Sequence, residues 1–81
     1  MNVTVKLFAI YQETLGTEEL ALNVPDGTSV IALLDSLLAK HPELKPWREL
    51  TRFGQNLTFV DPETLLQEGD EVVFIPPVSG G

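Results

Sequence analysis

Asn2-Val3-Thr4-Val5-Lys6-Leu7-Phe8-Ala9-Ile10-Tyr11 alternates without a break. Val3, Val5, Leu7, Ala9 and Tyr11 fall on one face, and Asn2, Thr4, Lys6, Phe8 and Ile10 on the other. A period of two marks an extended chain, whose successive side chains point to opposite sides. The stretch predicts a strand over residues 2 to 11 with one buried face. Its second face opens polar and closes on Phe8 and Ile10, which are either covered by another element or left as an apolar patch. So apolar a strand suits the middle of a sheet.

Outward from it, residues 12 to 18, with Gly16 among them, read as a connecting loop with room for one helical turn. Glu19-Leu20-Ala21-Leu22-Asn23-Val24 alternates again with Leu20, Leu22 and Val24 inward, so the chain opens as an antiparallel hairpin with a long turn. Pro25-Asp26-Gly27 is turn chemistry, and Thr28 or Ser29 supplies a helix N-cap. Val30, Leu33, Leu34, Leu37 and Leu38 recur at helical spacing and predict an amphipathic helix. Lys40 and His41 fall in its last turn, and Pro42 stops it. Residues 41 to 50 read as an irregular connection with Trp47 packed beneath it. Thr51-Arg52-Phe53-Gly54 and Asn56-Leu57-Thr58-Phe59-Val60 read as short strands turning at Gly54-Gln55. Asp61-Pro62-Glu63-Thr64 and Glu68-Gly69-Asp70 are turns, the second feeding a last strand, Glu71-Val72-Val73-Phe74-Ile75. Laid parallel beside the first strand, it completes an α+β domain: a mixed sheet of four to five strands with one main helix packed on one face. That is the β-grasp, or ubiquitin-like, architecture.

The last strand runs into Pro76-Pro77-Val78-Ser79-Gly80-Gly81. Neither proline has an N–H for a ladder, so the strand stops and the chain continues extended. The reading divides the chain into a body, residues 1 to 75, and an extended tail, residues 76 to 81. Gly80 and Gly81 carry no side chain and fit a channel too narrow for a Cβ.

Composition excludes several functions. Eighty-one residues make one domain too small for a deep private active site. With no cysteine there is no disulfide, thiolate metal site or catalytic thiol, and one histidine cannot make a zinc site. His41 is read as a helix terminus rather than a catalyst. Glu63, Glu68, Asp70 and Glu71 are read as a solvated acidic rim, because they lack metal-site or glycosidase spacing. A net charge of −7 disfavours nucleic acid and favours partners with basic surfaces. No apolar run is long enough to span a membrane and no secretory leader opens the chain, which predicts a cytoplasmic protein. Without a phosphate-binding glycine loop, any ATP must be bound by another protein.

Val5-Lys6-Leu7-Phe8-Ala9, Pro25-Asp26-Gly27-Thr28-Ser29-Val30, Leu66-Gln67-Glu68-Gly69-Asp70-Glu71-Val72 and Ile75-Pro76-Pro77-Val78-Ser79-Gly80-Gly81 together resemble the MoaD family, the small sulfur-carrier subunit of molybdopterin synthase. The resemblance runs the whole length and is most specific in the Pro-Pro-Val-Ser-Gly-Gly ending. It departs at Arg52-Phe53-Gly54-Gln55, where the family often shows a Val-Asn-Gly-like turn. The resemblance implies that Gly81 is first adenylated and then thiocarboxylated, with Gly80 letting the end thread a channel. It implies no cofactor on this chain, ATP used by an E1-like adenylyltransferase (the MoeB type), and a C-terminal 1-thioglycine. It further implies a large synthase subunit (the MoaE type) in a heterotetramer, to which Gly81 delivers sulfur for cyclic pyranopterin monophosphate in molybdenum cofactor biosynthesis. The catalytic acids and bases are then on the large subunit.

If the first and last strands are neighbours, alternation puts Phe8, Val73 and Ile75 on one uncovered face beside the tail. That patch, with Pro76, Pro77, Val78 and Ser79, is the expected partner-binding surface. Three other readings share the fold: a sulfur carrier for thiamin, cysteine or tRNA thiolation, a ubiquitin-like modifier conjugated through Gly81, and a plain interaction module.

Overall fold

The computed structural model describes residues 1 to 77. Elements follow in the order β1 (Asn2–Leu7), α1 (Ala9–Leu15), β2 (Glu19–Asn23), α2 (Val30–Lys40), a 3-10 segment (Pro42–Leu50), β3 (Arg52–Gln55), β4 (Thr58–Val60) and β5 (Glu71–Ile75). The five strands form one sheet in the order β2-β1-β5-β3-β4. β1 is antiparallel to β2 and parallel to β5, so the first and last strands are neighbours at its centre. The mixed β-grasp sheet expected from the sequence is the fold observed.

The alternation of the two central strands decides which face is packed. Val3, Val5 and Leu7 from β1, with Val72 and Phe74 from β5, are buried. Opposite them α2 lays down Val30, Leu33, Leu34, Leu37 and Leu38, all buried in the same core cluster. Burying such a side chain stabilises by about 1.5–3 kcal/mol, so this stripe holds the helix on the sheet. Ser29 caps α2 by accepting the Ala32 N–H at 3.1 Å. Gly27 takes φ 86° in the turn before it. His41 ends the helix, its N–H donated to the Leu37 and Leu38 carbonyls, which is the structural role expected of it.

Four local expectations are corrected. The first strand stops at Leu7 instead of running to residue 11, and residues 9 to 15 form a helix in place of strand end and loop. Tyr11 still faces inward: it is the buried residue of this helix, its ring centroid 5.9 Å from that of Phe74. Of the two residues left open, Ile10 is the covered one, packed partly buried against the core, while Phe8 stays half exposed. The 41–50 connection is a 3-10 segment anchored by fully buried Leu44, while Trp47 is only partly buried. The β3–β4 turn sits at Asn56 and Leu57, both with positive φ (49° and 71°), rather than at Gly54-Gln55. Among the described residues no helix is long and apolar enough to cross a membrane.

Candidate functional site

The outer face of the sheet is divided by chemistry. Around β1 and β2 it is polar: Thr4 lies opposite Ala21, and Lys6 opposite Glu19, with an ion pair of 3.0 Å between the last two. The Glu19 carboxylate beside it raises the Lys6 ammonium above its ordinary range. Around β5, β3 and β4 the same face turns apolar. Gly54 lies between Val73 on β5 and Phe59 on β4, and Arg52 lies opposite Ile75.

A shallow groove forms there, lined by Gly54, Leu57, Thr58, Phe59, Val73 and Ile75. Gly54 makes the concavity: a Cβ on it would stand 3.6 Å from the Val73 Cβ and partly fill the floor. Leu57 and Phe59 form the rim and are 93% and 72% exposed, far more than an isolated monomer gains by displaying two large apolar side chains. Val73 and Ile75 therefore meet on the face that alternation assigned them. Phe8 is not part of this groove. It is half exposed at the end of β1, where it begins α1 and borders a second concavity with Lys6, Leu7, Gln12, Glu18 and Glu19.

Beyond Ile75, Pro76 is buried and Pro77 is exposed. Val78, Ser79, Gly80 and Gly81 lie outside the described residues. Leu57 and Phe59 were absent from the sequence-based patch. The available signal was Asn56, a residue suited to the left-handed turn position; placing the turn there puts Phe59 across from Gly54.

The hairpin carrying this rim is bolted to the turn before β5. Asp70 is buried, and its carboxylate accepts Gln55 Nε2 at 2.6 Å, Asn56 Nδ2 at 2.9 Å and the Gln67 N–H at 2.7 Å. Burial alone would raise the Asp70 carboxyl, but the bonds from Asn56, Gln67 and Gln55 outweigh it and hold it below the usual range. Asp70 thus departs from the solvated acidic rim expected of it. Glu68 belongs to the same turn and accepts the Asn2 N–H at 3.0 Å. Among the described residues no cluster of three or more His, Cys, Asp or Glu is placed to hold a metal.

The model of the ThiS family matches residues 5–81. The chain belongs to the ThiS family. Within it, the chain is 36% identical over 83 residues to a molybdopterin synthase sulfur carrier subunit of Chlamydomonas reinhardtii, covering the whole of both chains. Among solved structures it is similar to subunit 1 or 2 in the protein–protein complex of those two subunits of the molybdopterin-converting factor from Helicobacter pylori. There the TM-score is 0.66 and the identity 27%, over all of both chains. It is also similar to small archaeal modifier protein 1 from Methanosarcina acetivorans, with a TM-score of 0.76 and 35% identity, covering 99% of this chain and 96% of that one. This ThiS-family member presents its apolar groove beside the strand that leads to the C-terminal glycines.

Proposed function

We propose that this chain is the sulfur carrier subunit of a molybdopterin synthase. The observation that carries the reading is end-to-end similarity to a carrier of that name, 36% identical over the whole of both chains. The chemistry of the chain end supports it. A C-terminal carboxyl with pKa ~3.5 is ionised at neutral pH and resists nucleophilic attack until it is activated. An E1-like adenylyltransferase supplies that activation by transferring AMP from ATP onto the Gly81 carboxylate, with pyrophosphate as the leaving group. A persulfide donor then displaces AMP to give an acyl disulfide, and a thiol cleaves its S–S bond, becoming a disulfide with the donor and leaving a thiocarboxylate on Gly81. Gly80 keeps the residue before the reacting one free of a side chain, and Pro76, Pro77, Val78 and Ser79 link the body to the reacting end.

Docking falls to the outer sheet face. Val73, Ile75, Leu57 and Phe59 form its apolar centre, and half-exposed Phe8, beside a separate concavity at the end of β1, adds a further apolar contact. The large synthase subunit and the activating enzyme take turns on this surface, each holding the tail in its own active site. The large subunit completes a heterotetramer and supplies the catalytic acids and bases, and the whole system works in the cytoplasm.

The test is intact mass after co-expression with the sulfur machinery, which should show a gain of about 16 Da as one oxygen becomes sulfur. Gly81→Ala should keep the fold but lower sulfur transfer to cyclic pyranopterin monophosphate ~100-fold, because misplacement by about 1 Å at a reacting centre costs that much. Normal molybdopterin formation by a chain lacking both glycines would end the reading. The likeness to the archaeal modifier favours a second reading, conjugation through Gly81 to lysines of other proteins. Higher-mass adducts of this chain that resist reduction and require Gly81 would establish it.

A further inference from the structure

We propose that Asp70 is a positioning residue for partner docking: its carboxylate locks Gln55 and Asn56 and so aims the β3–β4 hairpin tip, with Leu57 as an additional apolar contact, at the large subunit. The inference rests on the docking surface proposed above and adds to it the device that holds the surface in shape.

Three observations carry it. Asn56 uses both ends of its amide. Nδ2 donates to Asp70 at 2.9 Å, and Oδ1 accepts the Glu71 N–H at 2.9 Å, which leaves the side chain one orientation. Its backbone N–H also donates to the Glu71 carbonyl at 2.9 Å, so residue 56 is tied to residues 70 and 71 by three bonds. Gln55 adds a fourth tie between hairpin and turn through Nε2, which reaches both Asp70 and the Leu65 carbonyl.

The residue that the fastening presents is the second observation. Leu57 takes φ 71°, where glycine is the favoured occupant, and it is 93% exposed. An apolar side chain held in a disfavoured backbone state with no intramolecular packing is placed for an outside contact. The third is continuity: Leu57 lines the same groove as Val73 and Ile75, beside the strand leading to the tail. A rim fixed before binding loses less freedom when the partner seats on it.

The experiment is titration of the full chain against the large synthase subunit from the same source, with circular dichroism and amide exchange as folding controls. Leu57→Ala should weaken binding ~10-fold. Asn56→Gly keeps the left-handed turn while cutting the amide from Asp70; it should weaken binding about 5-fold in the native chain and less than ~2-fold when Leu57→Ala is already present. Asp70→Asn should repeat that non-additivity, and should it unfold, Asn56→Gly carries the test alone. Amides of residues 57 to 59 should exchange faster in Asn56→Gly while those of β1 and β5 do not change. Equal losses in both backgrounds would make Asp70 merely structural and overturn the proposal, as would unchanged affinity despite faster exchange. Unchanged affinity in Leu57→Ala alone, with Phe59→Ala and Ile75→Ala still weak, sinks this inference and spares the docking surface. Unchanged affinity in all three removes both.

Discussion

Leu57 and Asp70 act on stability in opposite senses. A side chain in the left-handed region costs roughly 1–2 kcal/mol, because its Cβ crowds the carbonyl oxygen. Leu57 recovers none of that by packing, since it is 93% exposed. Leu57→Gly should therefore raise unfolding stability by about 1 kcal/mol in a denaturant titration, while lowering affinity for the partner. Asp70 acts in the opposite sense. Its folded-state carboxyl lies below the usual range, so its contribution to stability is present above the unfolded value of ~3.9 and is lost as pH falls through the folded value. Asp70→Asn should be less stable than the native chain at neutral pH, and the difference should shrink on acidification below ~4. Denaturant midpoints measured at several pH values check this; a constant gap across the range would show that the hydrogen bonds do not depend on ionisation.

At the scale of elements, β5 separates stability from docking by alternation alone. Phe74 faces in, fully buried, with Phe53 edge-on at 5.7 Å and Tyr11 tilted at 5.9 Å. Ile75, the next residue, faces the groove. Phe74→Ala should cost ~3–5 kcal/mol of stability, enough to unfold much of a domain this small. Ile75→Ala should leave the thermal midpoint nearly unchanged and cost about 1–3 kcal/mol of partner affinity. Calorimetry on both variants, with titration against the large subunit, checks the pair, and the reverse pattern would mean the face assignment is inverted. Elsewhere, Arg48 links the 3-10 segment to α2 through a two-pronged contact with Asp35, at 2.6 and 3.1 Å. That pair lies at the surface, so it steers the segment more than it stabilises the domain.

For the whole molecule the governing quantity is charge. Twelve acidic residues against five basic ones leave −7 on a body whose groove is apolar. Charge of one sign around an apolar docking centre speeds encounter with a basic partner and repels unsuited ones, without much changing the strength of the final contact. Association with the large subunit should slow by about tenfold or more as ionic strength rises from ~10 to ~500 mM, with dissociation little changed. Stopped-flow or surface-based kinetics check this, and a salt-independent on-rate would remove electrostatics from the recognition.

Much of this molecule was legible in its sequence, because the deciding signals are local and periodic. The alternation of Val3, Val5 and Leu7, the stripe from Val30 to Leu38 and the alternation around Phe74 each state their own burial, so the sheet centre, the helix and the inward face follow from them. The prolines and glycines after Ile75 likewise carry their meaning in their own chemistry. Tertiary structure decided what local pattern leaves ambiguous. Tyr11 continues the inward alternation of the strand, yet the chain turns into a helix before it and buries it against Phe74. Asp70 looks like any surface acid until folding brings Gln55 and Asn56, 15 and 14 residues away, onto its carboxylate. The hairpin turn moved to Asn56 and Leu57 because pairing with β5 fixed the register of β3. That register put Phe59 on the docking face, a partner choice made by distant backbone that no short window of sequence contains.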